Sequence, residues 1–121
     1  MNLLLVGIGG ALGAICRYGM SLLLASSSQT FPWATLVVNS LGSLAMGVAL
    51  ALWAGRMDVQ SLKLLVMVGF LGGFTTFSAF SLETYQFLLR GELFTAVLYM
   101  LASVILCVFA VAFGVWVTRL F

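Results

Sequence analysis

Gly69-Phe70-Leu71-Gly72-Gly73-Phe74-Thr75-Thr76-Phe77-Ser78-Ala79-Phe80-Ser81-Leu82-Glu83-Thr84 is the stretch in which an otherwise lipid-like chain brings glycines, hydroxyls, aromatics and a carboxylate together. It lies inside an apolar run from Leu62 to about Leu89. As one continuous helix that run would be roughly 42 Å long, against a hydrocarbon core of about 30 Å. It must tilt steeply or break. Paired glycines followed by Thr75 and Thr76 favour the break, because Gly lowers helix propensity and Thr offers its hydroxyl to nearby backbone groups. The pattern predicts a half-helix to about Gly72, an irregular turn over 72–76 and a second half-helix to Leu89. In lipid each freed backbone group costs several kcal/mol, so such a break needs protein, water or an ion to take up its carbonyls. Ion-coupled transporters use the same device at the membrane midplane.

The rest of the chain is consistent with a membrane setting. Of its 121 residues 64% are hydrophobic and 7% charged, where a soluble domain carries about 25% charge. At about 20 apolar residues per span, the length predicts an all-α integral membrane protein. One transmembrane domain covers 1–121, with spans at about 3–25, 35–54, 62–89 and 93–117. A net charge of +2 is too small for the basic stripe that nucleic-acid binding requires. There is no His, and Cys16 and Cys107 lie far apart in apolar surroundings, so neither a metal-thiolate cluster nor a disulfide framework is indicated. The apolar start lacks a basic n-region, and Ile15 before Cys16 spoils a small-residue cleavage site, which predicts a retained first helix.

In the first run Gly9 with Gly13, and Gly10 with Ala14, place small residues at four-residue spacing, where another backbone can pack closely. Arg17 lies deeper than a headgroup contact needs. It either snorkels to the interface or faces a water-filled vestibule and concentrates anions. The polar stretch 26–33, with Pro32, reads as a loop, and Gly55 to Ser61 as another. Asn39, Ser43 and Gly47 share one face of the second span; Tyr99, Ser103 and Cys107 share one face of the fourth. Arg90-Gly91-Glu92 turns the chain. Arg56, Lys63 and Arg119 on one side against Arg17 and Arg90 on the other give almost no positive-inside bias. Such a chain can insert both ways round, which permits an antiparallel dimer. Phe77 and Phe80 fall on one face if the second half-helix begins near Thr76. They are either core packing or, with their electropositive ring edges, part of a lining that favours a small anion.

The run Gly-Phe-Leu-Gly-Gly-x-Thr-Thr-Phe-Ser-x-Phe-Ser-x-Glu-Thr, residues 69–84, resembles the signature of the small bacterial fluoride channels known as Fluc or CrcB proteins. Gly13, Arg17, the Pro32-Trp33-x-Thr35-Leu36-x-Val38-Asn39-x-x-Gly42 run, Tyr99 and Ser103 extend the resemblance over the whole chain. It implies a dual-topology, antiparallel homodimer in the bacterial inner membrane, with two fluoride pores for passive export and a central structural Na⁺. Carried over by position, backbone carbonyls of Gly72 and Thr75 would hold the Na⁺. Phe77 and Phe80 would line the pathway, with Asn39 a donor to the ion. Ser78, Ser81, Glu83, Thr84, Tyr99 and Ser103 would form its polar side, and Arg17 its vestibule. Ala34, Ala79, Cys107 and Val111 depart from the pattern and place the outer polar track in question.

Three other classes compete. A small multidrug exporter would need an intramembrane carboxylate placed to bind a cation; the first helix has none, and Glu83 lies in the third span. A structural subunit predicts that Asn39, Phe77 and Phe80 tolerate size-conserving changes. An enzyme is disfavoured, since no His, paired carboxylates or nucleophile beside a base is present.

Overall fold

The computed structural model describes residues 1–24 and 31–120 and is helical throughout. Helix α1 spans Asn2–Leu23 and α2 Trp33–Trp53; the third span is built from α3 (Gln60–Leu62), a π-helical segment (Lys63–Leu71), α4 (Gly72–Phe74) and α5 (Phe77–Leu89); α6 covers Leu93–Thr118. Among the described residues four stretches, Asn2–Leu23, Trp33–Trp53, Gln60–Leu89 and Leu93–Thr118, are long and apolar enough to cross a membrane. The expected end of the first span at 25 and most of the expected loop at 26–33 lie outside the described residues.

Boundaries elsewhere move by up to two residues, within the fraying range of helix ends. The second span starts at Trp33 instead of 35, because Pro32 sits at its N-cap and its carbonyl accepts the first helical bond from Leu36 N–H at 3.3 Å. Gly72–Phe74 stays helical, so the irregular segment expected over 72–76 narrows to Thr75 and Thr76, both extended. A π-helical stretch precedes it, which the apolar pattern of Lys63–Leu71 does not distinguish from an α-helix.

The turns follow from their glycines. Arg90 ends α5, Gly91 takes φ +75°, and Gly91 N–H and Glu92 N–H return to the Leu88 and Phe87 carbonyls at 3.0 and 2.9 Å. This is the Schellman arrangement, which satisfies carbonyls a helix end leaves open. After α2, Arg56 bonds Asp58 at 2.8 Å, and that hydrogen bond holds the exposed Asp58 carboxyl below the usual carboxylate range.

Two packing modes hold the spans together. On one side α1 lies against the π-helical segment and α4: a Cβ at Gly9 would meet the Leu65 carbonyl, one at Gly13 the Phe70 carbonyl, and one at Gly73 the Gly10 carbonyl. Small residues let backbones approach this closely, which raises dispersion contact where no hydrophobic drive exists between helices in lipid. On the other side α2 packs on α6, and a buried cluster of Leu36, Phe80, Phe87, Ala96 and Tyr99 lies between α2, α5 and α6. The outward surfaces are apolar, as in Leu4, Ile15, Leu101 and Phe109, and suit contact with lipid tails.

Candidate functional site

The site is built around the two extended residues. Thr75 N–H and Oγ1–H both donate to the Leu71 carbonyl, at 3.0 and 2.9 Å. Thr76 caps α5: its Oγ1 accepts from Ala79 N–H at 3.2 Å, the position an N-cap threonine satisfies. The N–H of Thr76 would continue the helical ladder onto the Gly72 carbonyl. It donates instead to Asn39 Oδ1 at 2.7 Å, while Asn39 Nδ2 donates to the Thr76 carbonyl at 3.0 Å. One amide side chain thus replaces both backbone partners that Thr76 loses. Arg17 Nε donates to the Gly73 carbonyl at 3.1 Å. The side chain is thus turned towards the backbone of the third span, two residues before Thr75. The Gly72 carbonyl has lost its regular donor, and among the described residues nothing donates to the Thr75 carbonyl.

A groove of about 300 Å³ opens beside the interruption. Asn39, Gly42, Ser43 and Met46 of α2 form one wall, Thr75, Thr76, Phe77 and Phe80 a second, and Ser103, Val104, Cys107 and Val111 of α6 the third. Ser103 is 6% exposed, yet its Oγ has no hydrogen-bond partner among the described residues. Buried hydroxyls without a partner are rare. Asn39 carries a second Nδ2 hydrogen that no hydrogen bond among the described residues uses. Phe77 and Phe80 meet with ring centroids 5.3 Å apart at 45°. They differ in setting: Phe80 is 9% exposed and packs on Tyr99, whereas Phe77 is 77% exposed.

Glu83 lies at the edge of this cluster. Its Oε1 accepts from Thr35 Oγ1 at 2.6 Å and its Oε2 from Tyr99 OH at 2.7 Å. The carboxylate ties α2, α5 and α6 together, and charge-assisted bonds of this length are the strong kind. Three further hydroxyls point elsewhere. Thr84 Oγ1 donates to the Phe80 carbonyl at 2.7 Å and Ser81 Oγ to the Phe77 carbonyl at 2.9 Å. Ser78 Oγ lies 3.3 Å from Thr76 Oγ1. Ser78 and Ser81 are exposed on the outer face of α5, and none of the three lines the groove. Two contacts escape the sequence: Thr35 as the partner of Glu83, and Gly73 as the partner of Arg17. Thr35 falls one turn before Asn39 in the same motif, which is the signal that marks it.

No group of His, Cys, Asp and Glu among the described residues could hold a metal ion. Oxygen atoms of the backbone are hard-cation ligands, and the Gly72 and Thr75 carbonyls are among those without a regular donor.

Fold and site together define a small multi-pass membrane protein in which Thr75 and Thr76 of the third span are extended beside a groove lined by a buried hydroxyl without a partner among the described residues. Residues 4–115 match the family described as CrcB-like protein, Camphor Resistance (CrcB). Relatives named fluoride-specific ion channel FluC align over nearly the whole chain. The protein of Magnetococcus marinus is 48% identical over 99% of this chain and 99% of its own. That of Hahella chejuensis is 45% identical over 98% and 95%, and that of Hydrogenovibrio crunogenus 45% over 100% and 93%. The chain belongs to the CrcB family.

Proposed function

We propose that this chain forms a fluoride-selective channel that lets the ion leave the cell passively, as an antiparallel dual-topology homodimer with two pores. The observation that carries this reading is the buried, unpartnered Ser103 hydroxyl opening on the same groove as the Asn39 amide and the Phe77–Phe80 pair. The relatives' names supply the identity of the ion. Fluoride is small and tightly hydrated, so a pore has to replace water with close donors. A hydroxyl, an amide N–H and electropositive ring edges are such donors, and none carries a charge that would trap the anion.

The groove of about 300 Å³ holds several waters at about 30 Å³ each, too wide by itself to select a small ion. A second copy would narrow it. Phe77, Ser78 and Ser81 are exposed on α5; a face that mixes a ring with hydroxyls suits a protein partner better than lipid, and this exposure supports the dimer, as does the even charge balance of the loops. We further read the Gly72 and Thr75 carbonyls as the holders of a Na⁺ at that contact, which would neutralise oxygens left without donors. In the inner membrane the negative interior drives the anion outward, by about 2.3 kcal/mol per 100 mV.

Purified protein in liposomes tests the reading. Fluoride efflux should follow an imposed potential and exceed chloride efflux by orders of magnitude. Efflux that ignores the potential, or that treats the two anions alike, rejects it.

A further inference from the structure

We propose that Cys107 and Met46 form a binding site for a soft monovalent metal ion of the Ag⁺ or Cu⁺ class, and that the occupied site closes the groove to fluoride. The closing half rests on the channel reading above; the metal site does not. Helix α2 packs on α6 because glycines let the two backbones meet: a Cβ at Gly47 would meet the Val111 carbonyl, and one at Gly114 the Leu44 carbonyl. Met46 adjoins Gly47 in sequence, and Cys107 lies one helical turn before Val111. The packing therefore brings a thioether from one wall and a thiol from another to the same groove, where both residues are half-buried. One turn before Cys107 on the same wall, Ser103 is 6% exposed and its Oγ has no hydrogen-bond partner among the described residues. That hydroxyl can donate to a water or anion held beside the metal.

The ligand chemistry selects the ion. Thiolate and thioether sulfurs favour soft ions, whereas carbonyl, carboxylate and water oxygens suit hard ones, so the site differs in kind from the carbonyls of the third span. Among the described residues no cluster of His, Cys, Asp and Glu could hold a metal ion, but a soft monovalent ion needs only a pair of sulfurs. The thiolate is the ligand: the Cys107 S–H bond breaks, its proton passes to water, the S–metal bond forms, and no atom changes oxidation state. One positive charge replaces another, and the site stays neutral. A divalent ion would leave a net positive charge in a low-dielectric groove, which is costly unless it is paired, and no carboxylate lines the groove. A metal held between Met46 and Cys107 bridges α2 and α6 and stands in the way of an ion moving past Ser103.

Silver is the probe, because Ag⁺ stays in one oxidation state in air and its nitrate and fluoride salts dissolve. Every protein tested carries Cys16→Ser, since Cys16 is exposed on α1 and would take up silver as any thiol does. Equilibrium dialysis of the detergent-solubilised protein in chloride-free buffer, against a competing small thiol, should find one Ag⁺ bound per chain. Adding Cys107→Ser should abolish that binding. Even outer partners of a metal site are worth about tenfold to a hundredfold in affinity, so Met46→Leu, which removes a direct ligand, should need at least about tenfold more free Ag⁺. In liposomes Ag⁺ should stop fluoride efflux and excess dithiothreitol should restore it. Efflux through Cys107→Ser, compared with its own untreated rate, should be indifferent to Ag⁺. Equal Ag⁺ affinity in Met46→Leu would reveal a bare thiol and overturn the site. Block by Zn²⁺ that disappears in Cys107→Ser overturns the choice of a monovalent ion. Full Ag⁺ occupancy with unchanged fluoride efflux overturns the closure and leaves the fluoride reading standing. Absence of fluoride efflux before any silver is added rejects the channel reading and the closure with it, while the dialysis still decides the metal site.

Discussion

The two halves of the third span are held by opposite means. From Lys63 to Phe74 the chain lies backbone to backbone on α1, through glycines whose missing Cβ atoms would meet the carbonyls of Leu65, Phe70 and Gly10. From Phe77 to Leu89 it touches α2 and α6 through side chains: the Phe80 and Tyr99 rings with centroids 5.3 Å apart, and Glu83 between Thr35 and Tyr99. The first half is specified mainly by shape, with the Arg17–Gly73 hydrogen bond added at its end, and has no room for volume at its glycines. The second is specified by direction and chemistry. The groove lies on the second side, where donors can be aimed, and the first side supplies a rigid wall against which the interruption is fixed.

The largest effect should come from adding volume to the first half. In Gly13→Leu the new Cβ is driven onto the Phe70 carbonyl and Phe74 N, which are backbone and cannot rotate away. Overpacking costs typically about 1–3 kcal/mol, and more where no side chain can yield. No monodisperse peak should be recovered by gel filtration. Gly7→Leu, on the same helix with nothing within 4 Å, should behave as the unaltered protein. Equal behaviour of the two variants breaks the distinction between the halves.

Next comes the joint between them. Asn39→Leu keeps the approximate volume and strands Thr76 N–H and C=O, each unsatisfied group costing about 1–3 kcal/mol. The unfolding midpoint should fall by several degrees or more, and flux per folded protein should be lost. Asn39→Asp retains an acceptor for Thr76 N–H but sets a carboxylate against the Thr76 carbonyl and an anion in the groove, and should lose flux as well. A midpoint unchanged in Asn39→Leu would mean that water replaces the clamp.

These contacts also show what the sequence discloses. The four spans are legible in it because long apolar runs are a local signal, and Gly-Gly-x-Thr-Thr lies where Thr75 and Thr76 are extended. The π-helical turn before Gly72 is not legible, since i→i+5 pairing has no residue signature. Thr35–Glu83 and Arg17–Gly73 join residues 48 and 56 apart, and periodicity within one helix says nothing of which partner a side chain meets. Ser81 and Thr84 carry the motif's hydroxyls, but in apolar surroundings a hydroxyl readily returns to the carbonyl four residues back, as both do. The resemblance names such residues; only the fold says where their donors point.

A smaller effect should follow Tyr99→Phe. It removes one donor to Glu83 and leaves ring packing intact, which should lower stability by about 1.5–3 kcal/mol, the range for hydrogen bonds to a charged group. Thr35→Val should cost a similar amount. The pair should couple in a double-mutant cycle, because both donors serve one carboxylate. Additive losses would show that Glu83 is solvated independently of them.

The smallest effect on stability, and the sharpest test of function, belongs to Ser103→Ala. Most buried hydroxyls lose a partner when removed, and the protein pays for it. Ser103 Oγ has no protein partner among the described residues, so its removal deletes a desolvated polar group whose burial costs about 1–3 kcal/mol. The unfolding midpoint should stay level or rise slightly. Flux should move the other way. If the hydroxyl replaces one water of the ion's shell in the groove, losing it raises the barrier by roughly the worth of one hydrogen bond to a charged group, about 1.5–3 kcal/mol, which slows flux about tenfold to a hundredfold. Stability from thermal melts and fluoride efflux from liposomes therefore separate in this variant, whereas in Gly13→Leu and Asn39→Leu they fall together. Normal flux in a stable Ser103→Ala protein would show that the ion does not pass along α6, and the groove would then be only a seam between helices.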